Sequence, residues 1–250
     1  MGEILGTEAV GEIISCALSE QRLSFPPETG ERLAVYHHLL CDWNTRMNLT
    51  GDTRLETALS RLYLDSLAPL GLPGLFPEGA SLIDVGTGAG FPGMALAIAR
   101  PDLQVTLLDS LQKRLTFLSA VRQELGLSNV TLVHARAEDG GRDPLLRERF
   151  DIACARAVAS LPVLCELLLP FVRVGGTMMC YKGPAAEEEL AASGRASRIL
   201  GGGGLKVIPV PLVSQPDWQH CLVCAQKNGP TGKAYPRKAG TPGAKPLGGV

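Results

Sequence analysis

No apolar run in the 250-residue sequence approaches the ~20 residues a helix needs to cross a bilayer, so no membrane-spanning helix is expected. A secretory leader is not expected either: Met1 to Glu20 carries Glu3, Glu8, Glu12 and Glu20 where a basic start and an apolar stretch would stand. Cytoplasmic residence is the expectation. Seven irregularly spaced cysteines do not make a secreted disulfide framework. The single Cys-x-x-Cys pair, Cys221 and Cys224, lies in the apolar stretch "HCLVCA". On a strand its two side chains point to opposite faces. No His pattern accompanies it, so these read as core thiols and no metal is expected.

A dominant charge is absent too, the formal net charge being −1, but the balance is uneven. Residues 1–80 hold 5 basic and 11 acidic side chains, residues 81–226 hold 14 of each, and residues 227–250 hold 5 basic and none acidic. The last stretch is rich in Gly and Pro, so a flexible or PPII-like basic tail is expected, suited to phosphate backbones or simply solubilising.

With 45% apolar and 20% charged residues, the composition is that of a globular chain able to bury a real core. Residues 1–80 read as a helical N-terminal subdomain: Ile4 to Leu18, "ERLAVYHHLLCDWN", then "TALSRLYLDSLAPL", with Leu59, Leu62, Tyr63 and Leu67 at helical spacing. The breakers of "GLPGLFPEG" close it. Residues 81–227 read as an α/β domain, with strands near 81–85, 103–109, 130–135, 150–155 and 175–182 and helices near 91–100, 111–126, 140–148, 158–170 and 185–200. "LKVIPVPLV" and "WQHCLVCAQK" are separated by a few turn residues, too few for a parallel crossover, and so form an antiparallel hairpin. The sum is a Rossmann-like, seven-stranded, mostly parallel sheet with one reversed strand. Residues 228–250 form the basic tail.

"LIDVGTGAGFPG" follows the first strand. Gly86, Gly88, Gly90 and Gly93 permit tight turning and close approach of backbone to a ligand, although Phe91 breaks a strict G-x-G-x-x-G. Asp109 ends the second strand, where a carboxylate can accept from a ribose diol. Asp84 would repel a pyrophosphate on this turn but attract the ammonium and sulfonium of S-adenosylmethionine, at about 4 kcal/mol for a 4 Å pair at an effective dielectric near 20. A second account has Asp84 capping the glycine loop through its own turn bonds. "HARAED" sets Ala137 and Glu138 in a loop able to meet an adenine edge. Arg156, after the fourth strand, and Lys182, closing the fifth, stand at the carboxyl edge of the sheet, as candidate catalytic residues or as solvated charges.

Two methyl-transfer chemistries leave no trace. No Pro-Cys dipeptide offers the thiol for pyrimidine C5 methylation, and no Asp/Asn-Pro-Pro-aromatic run follows the fourth strand to hold an exocyclic amine. A ring nitrogen with a free lone pair needs neither, only alignment and charge placement.

The chain resembles the RsmG (glucose-inhibited division protein B) methyltransferases over nearly its whole length, through "WNTRMNLT" (43–50), "LDSL" (64–67), "DVGTGAGFPG" (84–93), "LLDSLQKRLTFL" (107–118), "ARAVASL" (155–161) and "YPRKAGTPGAKPL" (235–247). The resemblance implies a class I S-adenosylmethionine-dependent methyltransferase acting on N7 of a guanine in 16S rRNA, in the conserved loop near the decoding region. It implies cofactor contacts at Gly86, Phe91, Ala137, Glu138 and Arg156. Strand position adds Asp84, Gly88 and Asp109 to that set. Its partner would be 16S rRNA or the small ribosomal subunit, met by a monomer, with Asn48 and the tail's Tyr235, Arg237 and Lys238 as RNA contacts. Asn48 and Thr50 read as lining the cofactor cleft or as a helix end and its cap. The family usually shows a His three residues before the Asp of "LDSL"; Leu62 stands there, beside Tyr63. Either Tyr63 substitutes for it or function has weakened. A small-molecule methyltransferase and a cofactor-binding ribosome-assembly factor are the alternatives.

Overall fold

The computed structural model describes residues 5–215 and 217–248. The N-terminal region is helical: α1 (Thr7–Glu20), α2 (Thr29–Asn44), then a continuous run made of α3 (Leu55–Ala58), a π-helical turn (Leu59–Leu64), α4 (Asp65–Leu67) and a 3-10 turn (Ala68–Gly71). Alternating units follow: β1 (Ser81–Val85), α5 (Gly93–Ala99), β2 (Gln104–Asp109), α6 (Gln112–Glu124), β3 (Val130–His134), α7 (Ala137–Gly140), β4 (Phe150–Arg156), α8 (Leu161–Leu168), β5 (Val172–Lys182) and α9 (Ala186–Ile199). The chain ends with β6 (Lys206–Pro209), β7 (Cys221–Gln226) and the single turn α10 (Thr241–Ala244).

The seven strands lie in the order β3-β2-β1-β4-β5-β7-β6. The first five strands are parallel, and β7 runs antiparallel to both β5 and β6, as the short connection requires. β6 keeps only four residues because Pro209 and Pro211 lack donors, and it lies at the sheet edge where that is tolerated. The chain reverses direction across the sheet between β1 and β4, so their carboxyl ends open a crevice.

Both sheet faces are covered. One core joins the N-terminal helices to α5, α6 and the sheet through Ile14, Leu33, Tyr36, Met94, Leu107, Phe117 and Met179. The other packs α8 and α9 through Ile83, Leu108, Leu164, Phe171, Met178 and Val223. Alternation assigns them: Leu82 and Ile83 fall in opposite cores, and Cys224 and Cys221 do likewise, free thiols as expected. The N-terminal helices therefore share a core with the sheet. Each fully buried Leu or Phe at that junction contributes roughly 1.5–3 kcal/mol.

Two expectations need correction. The helix expected near 140–148 is only the turn α7, since "GGRDP" breaks the pattern and Asp143 Oδ1 accepts the Leu145 amide at 2.9 Å to form a local turn. The basic tail is an ordered strap across α7 and α8. Arg237 forks onto Glu166, with Nη2 at 2.6 Å from Oε2 and the backbone amide at 2.7 Å from Oε1. Arg147 donates to the carbonyls of Thr231 (2.7 Å) and Tyr235 (2.8 Å), and Thr231 N donates to Glu148 Oε1 at 2.6 Å. Lys227, fully buried, donates to Leu169 O at 2.6 Å. The strap has no acids of its own, but the body supplies them, so Lys227 and Arg237 are paired, with Glu148 and Glu166.

Candidate functional site

The glycine turn is held from both sides. Gly86 and Thr87 amides donate to Leu108 O at 2.8 and 3.1 Å, tying the turn to the end of β2, and Gly88 N donates to Asp109 Oδ2 at 2.9 Å. Gly86, Gly88 and Gly90 have φ of 72°, 61° and 97°, open only to glycine at low cost. From the other side Tyr36 of α2 donates its hydroxyl to Ala89 O, and its ring stacks on Phe91 at 5.1 Å. The N-terminal helices thus brace the turn.

Asp84 lies beneath it, 1% exposed. Its Oδ2 accepts from Thr87 Oγ1 (2.6 Å) and from the Gly93 amide (2.9 Å), so the capping account is realised. A Cβ at Gly93 would come 2.8 Å from this side chain, which is why a glycine opens α5. Asp84 Oδ1 is buried with no partner among the described residues. Burial raises the carboxyl to about 6, against the lowering pull of those bonds and of Arg156.

Above the turn is a cavity of about 440 Å³, lined by Leu49, Thr50, Leu62, Gly86, Gly88, Phe91, Asp109, Arg156 and Ala157 among others. Asp109 binds the Leu111 amide at 2.8 Å and Arg114 at 3.3 Å besides Gly88. A second cavity of about 300 Å³ opens beyond it over the ends of β4 and β5, lined by Asp65, Arg156, Ala157, Tyr181, Lys182, Glu189 and His220 among others. The two cavities share Arg156 and Ala157. Ala157 has φ 55°, a left-handed conformation that costs a non-glycine residue energy and that clusters at ligand sites.

Arg156 Nη1 donates to Arg61 O (3.0 Å), Asp65 Oδ2 (3.2 Å) and Ser66 Oγ (3.4 Å). Its Nε and Nη2 make no hydrogen bond among the described residues, and the guanidinium lies 5.4 Å over the Phe91 ring. Asp65, buried, takes His220 Nδ1 on its other oxygen at 2.8 Å. Arg61 belongs to the π-helical turn, a departure from regular helix common at functional sites. Lys182 Nζ pairs with Glu189 Oε1 at 2.7 Å.

The family model for GidB, rRNA small subunit methyltransferase G, matches residues 29–214. The chain belongs to this family. A Clostridium botulinum (strain Eklund 17B / Type B) protein named ribosomal RNA small subunit methyltransferase G is 44% identical over 236 residues, 94% of this chain and 98% of its own. One of the same name from Alkaliphilus metalliredigens is 48% identical, over 87% of this chain and 90% of its own. A solved structure from Methanococcus maripaludis, a proposed S-adenosyl-L-methionine-dependent methyltransferase, matches with a TM-score of 0.50 at 13% identity over 70% of this chain and 90% of that one, and shows the fold.

The residues named from sequence, by family pattern, strand position or tail composition, divide between the cleft and sites outside it. Gly86, Gly88, Phe91, Asp109 and Arg156 line the first cavity, and Lys182 lines the second. Ala137 and Glu138 open α7 outside both, with Glu138 Oε1 accepting Gly240 N of the strap at 2.8 Å. Asn48 is exposed, while Leu49 and Thr50 reach the cleft because Asn44 Oδ1 accepts both their amides at 2.8 and 3.0 Å. Tyr235 packs on the second core and Arg237 is paired, so neither is placed to meet RNA freely; Lys238 is exposed. Tyr63, beside Leu62, is fully buried with its hydroxyl 3.2 Å from His37 Nδ1. Tyr36, Asp65, Glu189 and His220 were missed. Asp65 stood inside the motif "LDSL" as a signal; His220 gave none, because only strand pairing brings it to Asp65.

Proposed function

We propose that the chain transfers a methyl group from S-adenosylmethionine to N7 of a guanine in 16S rRNA. The observation that carries the reading is the pair of adjoining cavities that meet at Arg156 and Ala157, one over the glycine turn and one over the ends of β4 and β5, on a chain of the GidB family. A two-substrate transfer needs two sites opening on one another.

The first cavity fits the methyl donor. Asp109 can accept from a ribose diol, and the partnerless Asp84 Oδ1 is a match for an ammonium. S-adenosylmethionine, when bound there, supplies an electrophilic methyl on a sulfonium. Gly86, Gly88, Phe91 and Arg156 would hold it, with Ala137 and Glu138 as outer contacts once the ligand bridges to α7. The guanine N7 lone pair forms the new N–C bond while the S–C bond breaks with its electrons left on sulfur. No proton leaves N7, so the residues have only to orient the base and to balance charge. Arg156 and Lys182 touch the acceptor side. Exposed Asn48 and Lys238 are the remaining candidates for the RNA backbone. Both cavities belong to one chain, which supports action as a monomer. The substrate would place it in the cytoplasm.

The test is incubation with labelled S-adenosylmethionine and unmodified small-subunit RNA, followed by mapping for N7-methylguanine. Label on a small metabolite would favour the small-molecule alternative, and binding without any transfer would favour an assembly factor.

A further inference from the structure

The second cavity ends in a side-chain pair. Lys182 closes β5 with a side chain 13% exposed, and its Nζ reaches both oxygens of Glu189, at 2.7 and 3.0 Å. The remaining Nζ proton faces only the Ala159 carbonyl, at 3.5 Å, the long limit of a hydrogen bond. Glu189 reaches the cavity from α9; its Oε2 also accepts the Leu161 amide that opens α8, while Oε1 accepts from Lys182 alone. The cavity therefore presents one underused donor beside one underused acceptor, fixed by a strand end and a helix.

We propose that Lys182 and Glu189 form a reader for guanine, selecting it against other purines. This rests on the methyltransferase reading above. When N7 faces the first cavity across Ala157, the purine edge continues as O6 and then N1–H: an acceptor followed by a donor. Lys182 Nζ donates to O6, and Glu189 Oε1 accepts from N1–H. Adenine presents an amino donor and an unprotonated N1 in the same order, so both contacts reverse sign and leave a partly buried charge facing a like group. A site built this way rejects the wrong base mainly through unpaired polar groups. Asp65 holds His220 through Nδ1 and Arg156 through Nη1 at the side of the cavity, away from the Lys182–Glu189 pair.

The test uses the full chain and small-subunit RNA carrying guanine, inosine or 2-aminopurine at the methylated position, read by labelled methyl transfer; all three bases keep N7. Inosine keeps O6 and N1–H and should be methylated within about threefold of guanine, whereas 2-aminopurine lacks both and should fall by about a hundredfold. In Lys182→Met the guanine to 2-aminopurine ratio should shrink to within about tenfold. Glu189→Gln keeps an acceptor for Leu161 and should give an intermediate ratio. Equal transfer to guanine and 2-aminopurine by the unaltered protein, or an unchanged ratio in Lys182→Met, overturns the proposal. The analogue arm needs no variant to fold. No transfer to guanine RNA at all would instead overturn the reaction assigned above, and this proposal with it.

Discussion

Two arginines that look alike in sequence, Arg156 after β4 and Arg237 in the strap, have opposite surroundings. Arg237 has its fork filled: Nε and Nη2 bind Glu166, and Nη2 also reaches Lys245 O at 2.7 Å. Among the described residues Arg156 hydrogen-bonds to protein through Nη1 alone, and it lines two cavities. One is a fastener, the other a contact waiting for a ligand. An arginine's role is set by how many of its donors the protein itself uses.

The largest expected effect breaks the fastener. Arg237→Ala leaves Glu166, 1% exposed at the side chain, as an unpaired buried carboxylate, and should cost about 3–5 kcal/mol in urea unfolding. Methyl transfer well below the unfolding transition should change little. Arg156→Ala should do the reverse: transfer falls by about a hundredfold, while stability drops by less than about 2 kcal/mol because Asp65 keeps His220 as partner. Matching losses of stability and transfer in both variants would erase the contrast.

A smaller effect tests the brace on the cleft. Tyr36→Phe leaves Ala89 O without its hydroxyl donor and should weaken S-adenosylmethionine binding by about fivefold in calorimetry, with little change in RNA affinity. The pH dependence of the same turn follows from Asp84. Its folded pKa is raised to about 6, so its contribution to stability is full below the unfolded value and lost as pH climbs through about 6. A cationic ligand favours the ionised form, so S-adenosylmethionine affinity should rise between pH 5 and 7, by up to about tenfold. Asp84→Asn should flatten that rise. Smallest of all, Lys238→Ala should lower RNA affinity by about twofold and reduce the salt slope by about one, as for a single exposed phosphate contact.

Much of this was readable along the chain. Short apolar runs alternating with amphipathic ones gave all seven strands near their observed places, and the closing hairpin followed from connection length. The glycine turn named Gly86, Gly88 and Phe91, and the strand ends named Asp109 and Arg156, all of which line the first cavity. The strap was misread because composition shows cations and breakers but not their partners: Glu166, Glu148 and Glu138 come from elements scattered along the preceding chain. The region 140–148 was misread because a helix was assigned to the gap between two strands, against two adjacent glycines and Asp143-Pro144.

Local periodicity and turn chemistry by themselves determined the sheet, its covering helices and the floor of the cleft, since those depend on neighbours a few residues apart. Which charged groups stay free was decided only by tertiary structure. Antiparallel pairing of β7 with β5 sets Cys221 opposite Lys182, and so carries His220 to Asp65, 155 residues away. Charge in a protein acts through whatever folding brings within a few ångströms, and no spacing along the chain specifies that distance.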